Sequence, residues 1–166
     1  MYRTIEDFKN DWAYESEATS KVFANLTDAS LNQRITPEHR TLGFLAWHIV
    51  MSLGMAGEAG LPFEAPGDYT SHPPAGAAVI KSTYDKYSAG IIASIDKNWK
   101  DANLLEKVQM YGMTWTRGYG LLAMVKHQAH HRGQMTVLMR QAGLLVPGAY
   151  GPAKEEWAAA GMEAQP

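Results

Sequence analysis

The chain has 166 residues, 46% hydrophobic and 19% charged, and its 17 acidic against 15 basic side chains leave a formal net charge of -2. That length suits one domain with its own core, and the composition excludes a disordered chain and the basic excess of a nucleic-acid binder. The absence of cysteine excludes disulfides, thiolate ligands and a cysteine nucleophile, so any metal must be held by imidazole, carboxylate or water.

The N-terminal run MYRTIEDFKNDW is polar and acidic where a secretory signal would be apolar. No stretch approaches the roughly 20 apolar residues of a membrane span, so a soluble cytoplasmic protein is expected. A first helix is predicted over about residues 4–26, with Thr4 as N-cap and Ile5, Phe8, Trp12, Phe23 and Leu26 at helical spacing. Thr36-Pro37-Glu38 reads as an N-cap followed by proline in the first helical position, which starts a second helix over 37–59. Leu42, Phe44, Leu45, Trp47, Ile49, Val50, Leu53 and Met55 make most of its circumference apolar. Residues 60–76 hold four of the eight prolines and no periodicity, and read as a long functional loop.

A third helix is predicted over 77–99, with Ile80, Tyr84, Tyr87, Ile91 and Ile95 on one stripe. Residues 103–115 are read as irregular, since Val108 to Tyr111 suit an extended piece while Leu104 and Leu105 suit a helical turn. Thr116 caps a fourth helix over 117–142, Gly143 stops it and Pro147 blocks its resumption. The short tail includes a helix-like run from Ala153 to Ala160. Four amphipathic helices without convincing strands predict an all-α antiparallel four-helix bundle in a single domain spanning residues 1–166.

The candidate chemistry lies in the histidines. At about 100° per residue, Gly120, Met124, His127, Met135, Leu138 and Ala142 all fall within about 40° of His131. The pair His127 and His131 therefore sits on the apolar stripe, one turn apart, where two imidazoles reach one ion. His130 and Arg132 lie about 100° to either side and are assigned to a flank or to solvent, with a structural or dimer contact preferred for Arg132. In the second helix His48 shares a face with Phe44, Ser52 and Met55, so it also points inward. A four-residue histidine pair is weakly specific alone. A third inward imidazole on another helix completes a set of three ligands with coordination positions left open.

Other polar groups get plainer assignments. His39 and His72 are expected at the solvated surface, Met124 and Met135 as core filler, and Tyr84 and Tyr87 as packed phenols with a wet end. Gln134, one turn beyond His131, either supports a ligand through its second nitrogen or makes a polar contact between helices.

The segments TLGFLAWHIV, HQAHHRGQMTVLMRQAG and the tail from Pro147 through GPAKEEW resemble the DinB/YfiT-like superfamily of metal-dependent enzymes over nearly the whole chain. The resemblance implies an up-down-down-up bundle, commonly a homodimer. It also implies nickel or zinc, held by one histidine of the second helix and two histidines four apart in the fourth, which match His48, His127 and His131. Related branches transfer low-molecular-weight thiols to electrophiles or isomerise compounds with thiol help.

The function expected is therefore activation of a small thiol or water at a divalent transition metal, for transfer to or hydrolysis of a small-molecule substrate. With no cysteine in the chain, the thiol would be a cosubstrate. The pocket is expected beneath residues 61–76 and 103–115. A noncatalytic bundle that binds metal or ligand as a stress or sensor protein is the alternative, and nucleic acid and membrane are not expected partners.

Overall fold

The computed structural model of the chain describes residues 1–67, 69–159 and 161–163. Helix α1 spans Ile5–Ala24, and Thr4 closes a capping box with Asp7: the Asp7 N–H donates to Thr4 Oγ1 (3.0 Å), and the Thr4 N–H donates to the Asp7 carboxylate (3.1 Å). Its buried stripe is Phe8, Trp12, Glu15, Thr19, Val22 and Phe23, so a carboxylate lies among the apolar residues.

The second predicted helix starts later than expected and is broken. Thr36 spends its hydroxyl on Glu38 and His39 within an exposed turn, and Pro37 opens no helix. The cap is Thr41, whose Oγ1 accepts the Phe44 N–H at 3.1 Å, and α2 runs over Leu42–Ser52. After a turn at Leu53 and Gly54, a single further turn, α3, covers Met55–Glu58. Helix α4, Ala77–Asn98, begins where the Asp28 carboxylate accepts the Ala77 N–H at 2.8 Å. Ile80, Tyr84, Ile91 and Ile95 are buried as the spacing required, while Tyr87 is half-buried.

Residues 103–115 are not irregular. A 3-10 turn, Asp101–Leu105, leads into an antiparallel hairpin of β1 (Lys107–Met110) and β2 (Met113–Thr116), in register Lys107 with Thr116 and Met110 with Met113. The turn between them has both central residues at positive φ, Tyr111 at 53° and Gly112 at 75°, the mirror-image turn that matches the twist of two-residue hairpins. The hairpin corrects the all-α expectation. Strands of four residues carry too short an alternation to stand out, and they form because Met110 is buried against the helices.

Helix α5, Arg117–Gln141, starts at Thr116, whose Oγ1 accepts the Tyr119 N–H at 3.2 Å. It ends in a Schellman motif: Gly143 stands at φ 71°, its N–H donates to Arg140 O, and the Leu144 N–H donates to Met139 O. Among the described tail residues Lys154–Glu156 form one 3-10 turn, and Ala160, the end of the predicted run, lies outside the described residues, as do 164–166.

Helix α5 packs on α1, α2 and α3, and α4 packs on α1 and α2, around one continuous apolar core. The hairpin seats on α3 and α5 where Gly120 permits it: a Cβ there would stand 2.9 Å from Ala59 Cβ and 3.0 Å from Met110 Sδ. Among the described residues no helix is long and apolar enough to cross a membrane.

Arg132 makes a structural contact inside the fold and does not lie in solvent. It is 2% exposed and pairs with Glu15, Nη2 to Oε2 at 2.7 Å, while its Nη1 donates to Thr19 Oγ1 at 2.9 Å. From the tail, the Tyr150 hydroxyl accepts from Arg132 Nη2 (2.6 Å) and donates to Glu15 Oε1 (2.8 Å). Helix α5 has neighbours on two sides, so the face opposite the histidines is also interior. Beside this pair, the Tyr84 hydroxyl donates to Gln128 Oε1 at 2.7 Å, and Gln128 Nε2 donates to the Glu15 carbonyl.

Candidate metal centre

Helices α2 and α5 face each other with His48 on one and His127 and His131 on the other. The Nε2 atoms of His48 and His127 lie 3.3 Å apart, and those of His131 and His127 lie 3.1 Å apart. The ring centroids are separated by 5.0, 4.6 and 4.5 Å, and one nitrogen from each ring lies within 4.8 Å of the other two. His131 is buried, and His48 and His127 are half-buried.

The tautomer of His131 follows from its outer hydrogen bond. His131 Nδ1 is 2.8 Å from Gln134 Oε1, which only accepts, so Nδ1 carries the proton and Nε2 presents a lone pair to the other rings. The Gln134 amide nitrogen in turn lies 3.2 Å from His130 Nε2 at the surface. His127 Nδ1 is buried without a hydrogen-bond partner among the described residues.

Burial, reinforced by neighbouring His131 and Arg40, pushes His48 down to about 4, and burial with the adjacent histidines does the same to His127. His131 is also lowered, chiefly by burial, against the opposing pull of Gln134. All three rings are therefore neutral at pH 7. Neutral imidazoles can each offer a lone pair to a cation held between them, and about 2.0 to 2.1 Å is the nitrogen-to-ion bond length such donors adopt. Ligand edges of 3.1 and 3.3 Å fit bonds of that length, so the donor set suits a divalent transition metal.

A cleft of about 440 Å³ opens on the histidines, lined by His48 and His127 together with Met55, Tyr69, Tyr111, Trp115 and Ala123. Tyr69 comes from the proline-rich loop, and Tyr111 and Trp115 from the hairpin, so both segments expected above the pocket do line it. His39, His72 and His130 are exposed and outside the cluster. Met124 and Met135 are fully buried in the core.

A family model described as the DinB family matches residues 1–165. The chain belongs to the DinB family. It is 45% identical over 166 residues to the uncharacterized protein YrdA of Bacillus subtilis (strain 168), with 99% of this chain and 98% of that protein covered. The crystal structure of a DinB-like protein from Bacillus cereus matches at a TM-score of 0.85 and 43% identity, covering 90% of this chain and 100% of that one. The DinB-like protein YjoA of Bacillus subtilis, at 15% identity, shares the fold with a TM-score of 0.65 over 82% of this chain and 92% of that one.

The lowered histidines of this DinB chain set the sign of a pH effect. With the folded values of His48 and His127 at about 4, below the ordinary 6.5, the unfolded chain binds more protons than the native state between those limits. Stability of the metal-stripped protein is then complete above pH 6.5 and declines as pH falls toward 4. Urea midpoints measured from pH 7 to about pH 4.5 should fall, and fall less steeply in a His48→Gln/His127→Gln variant. Equal slopes in the two proteins would contradict the assignment.

Reading the sequence missed Tyr69, Tyr111 and Trp115 as cleft residues. The available signal was Tyr111-Gly112 between two short alternating runs, a two-residue turn with an unexpected first member.

Proposed function

We propose that this DinB-family protein is a metal-dependent enzyme in which His48, His127 and His131 hold one divalent ion, nickel or zinc. The observation that carries this reading is the convergence of three neutral imidazoles beside a cleft large enough for a small molecule. Such an ion lowers the pKa of a thiol or water placed on it, which supplies a nucleophile at neutral pH. Gln134 holds His131 in the tautomer that directs Nε2 inward. Met55, Trp115 and Ala123 offer an apolar surface to the substrate body, and Tyr69 and Tyr111 line the cleft beside them.

The reaction class is transfer of a small thiol to an electrophilic small molecule, or hydrolysis of one. Because the chain has no cysteine, the thiol arrives as a cosubstrate. We read the helices as the up-down-down-up bundle in one domain, acting as a cytoplasmic homodimer without nucleic-acid or membrane partners. The cleft beside the imidazoles favours this reading over a bundle that holds the ion alone; a noncatalytic bundle that binds a small ligand would use the same space, and turnover separates the two.

The test is turnover. Metal-loaded protein is incubated with a panel of small thiols and a chlorinated aromatic electrophile, and thiol consumption and chloride release are followed. Activity is expected in the parent and absent from a His127→Ala/His131→Ala variant. Silence with every thiol, the ion being retained, would leave the noncatalytic reading in place.

A further inference from the structure

A hydrogen-bonded chain runs outward from the imidazole cluster along the surface of α5. It passes from His131 Nδ1 to Gln134 Oε1 at 2.8 Å, and from Gln134 Nε2 to His130 Nε2 at 3.2 Å. Gln134 lies three residues after His131 and four after His130, so one side chain reaches both from the next turn of the helix. The His130 ring also stands edge-on to the His131 ring, with centroids 4.9 Å apart. His130 is exposed and gives no nitrogen to the cluster, yet both of these contacts are with one ligand or with the group that orients it.

The chain has a direction. A primary amide accepts at one end and donates at the other, so the bond made at one end fixes the bond made at the other. With its oxygen on His131 and its nitrogen on His130, Gln134 keeps the His131 proton on Nδ1, and His130 accepts on Nε2. Turning the amide over reverses every step: Gln134 would donate to His131 Nδ1, and the His131 proton would sit on Nε2.

The reversed arrangement has a partner waiting in the metal-free protein. His131 Nε2 is 3.1 Å from His127 Nε2, within hydrogen-bond distance once it carries a proton. His127 Nδ1 has no hydrogen-bond partner among the described residues, so no outer bond on that ring opposes the reversal. A proton between the rings occupies a lone pair that the ion needs. Gln134 by itself selects weakly, because it is exposed and water competes for both ends of its amide.

We propose that His130 is the positioning residue that fixes the direction of this chain. By accepting the Gln134 N–H it holds the amide oxygen on His131, and so keeps the His131 Nε2 lone pair turned toward the other two rings. This deepens the metal reading and rests on it for what that lone pair serves.

Two substitutions isolate the effect. His130→Phe keeps a ring and removes the acceptor, while Gln134→Glu supplies a carboxylate that accepts from His131 through either oxygen and has no donor end to direct. Zinc affinity is measured by competition with a chromophoric chelator in the parent, the two single variants and the double variant. His130→Phe should weaken zinc about 3- to 10-fold in the parent, less than the loss of a group bonded to the ligand itself, because it acts through Gln134. In the Gln134→Glu background the same substitution should change nothing. Hydrogen–nitrogen correlation spectra of the metal-stripped, histidine-labelled proteins in mildly alkaline buffer read the tautomer directly. His131 should be protonated on Nδ1 in the parent and in both Gln134→Glu proteins, and should shift toward Nε2 in His130→Phe. Equal zinc loss in both backgrounds, an unchanged affinity in His130→Phe, or a His131 proton on Nε2 in the stripped parent would overturn the proposal. A parent that takes up no zinc would instead count against the metal reading, and the tautomers of the stripped proteins would still decide the direction of the chain.

Discussion

Replacing His127 and His131 together by alanine is expected to reduce bound metal from near one ion per chain to background. Two of the three donors come from one turn of α5, and the remaining His48 offers a single nitrogen from α2. One imidazole cannot compete with water for an ion at micromolar supply. Intermediate variants should grade the effect: Gln134→Ala keeps all three rings but frees the His131 tautomer, and loss of such a supporting bond costs about 10- to 100-fold in affinity. Thermal unfolding gives a second readout. Metal at about 100 times its dissociation constant stabilises the native state by about 2.7 kcal/mol, which raises Tm by roughly 5 to 10 °C in a chain of this size. That rise should be present in the parent and absent from the double variant. Equal metal content in the two proteins would remove the site.

The second large effect belongs to the opposite face of α5. Glu15→Ala should destabilise the protein by about 3 to 5 kcal/mol, because it strands the Arg132 guanidinium in the interior without its counter-charge. For a domain of this length that is a fall in Tm of about 10 °C. Arg132→Met, which removes the demanding charge but leaves Glu15 buried, should also be costly. The pair Glu15→Leu/Arg132→Met should recover most of the loss, since an apolar pair of similar volume replaces two desolvated ions. Tyr150 bonds to both partners, so the tail should become more protease-sensitive in Glu15→Ala. Urea denaturation of the four proteins measures this cycle, and a Glu15→Ala cost below about 1 kcal/mol would refute the account.

The sequence alone identified the face shared by His127 and His131, the inward direction of His48, and the limits of α5 between Thr116 and Gly143. Each is a local property: the helical repeat sets the angle between residues four apart, and a cap acts within one turn of its own backbone. The start of α2 was misplaced because Pro37 carries a strong local signal that competing bonds from Thr36 to Glu38 and His39 override. Arg132 was read as pointing away from the histidines into a structural or dimer contact, but the sequence did not name its partner. Its partner Glu15 lies on another helix, and only packing brings the two within 2.7 Å. The hairpin, and the cleft lined together by Tyr69, Tyr111 and Trp115, were decided in the same way, by contacts between segments far apart in the chain. The angular order of side chains on one helix follows from its backbone geometry, whereas the helices and loops that meet depend on burying the whole apolar surface at once.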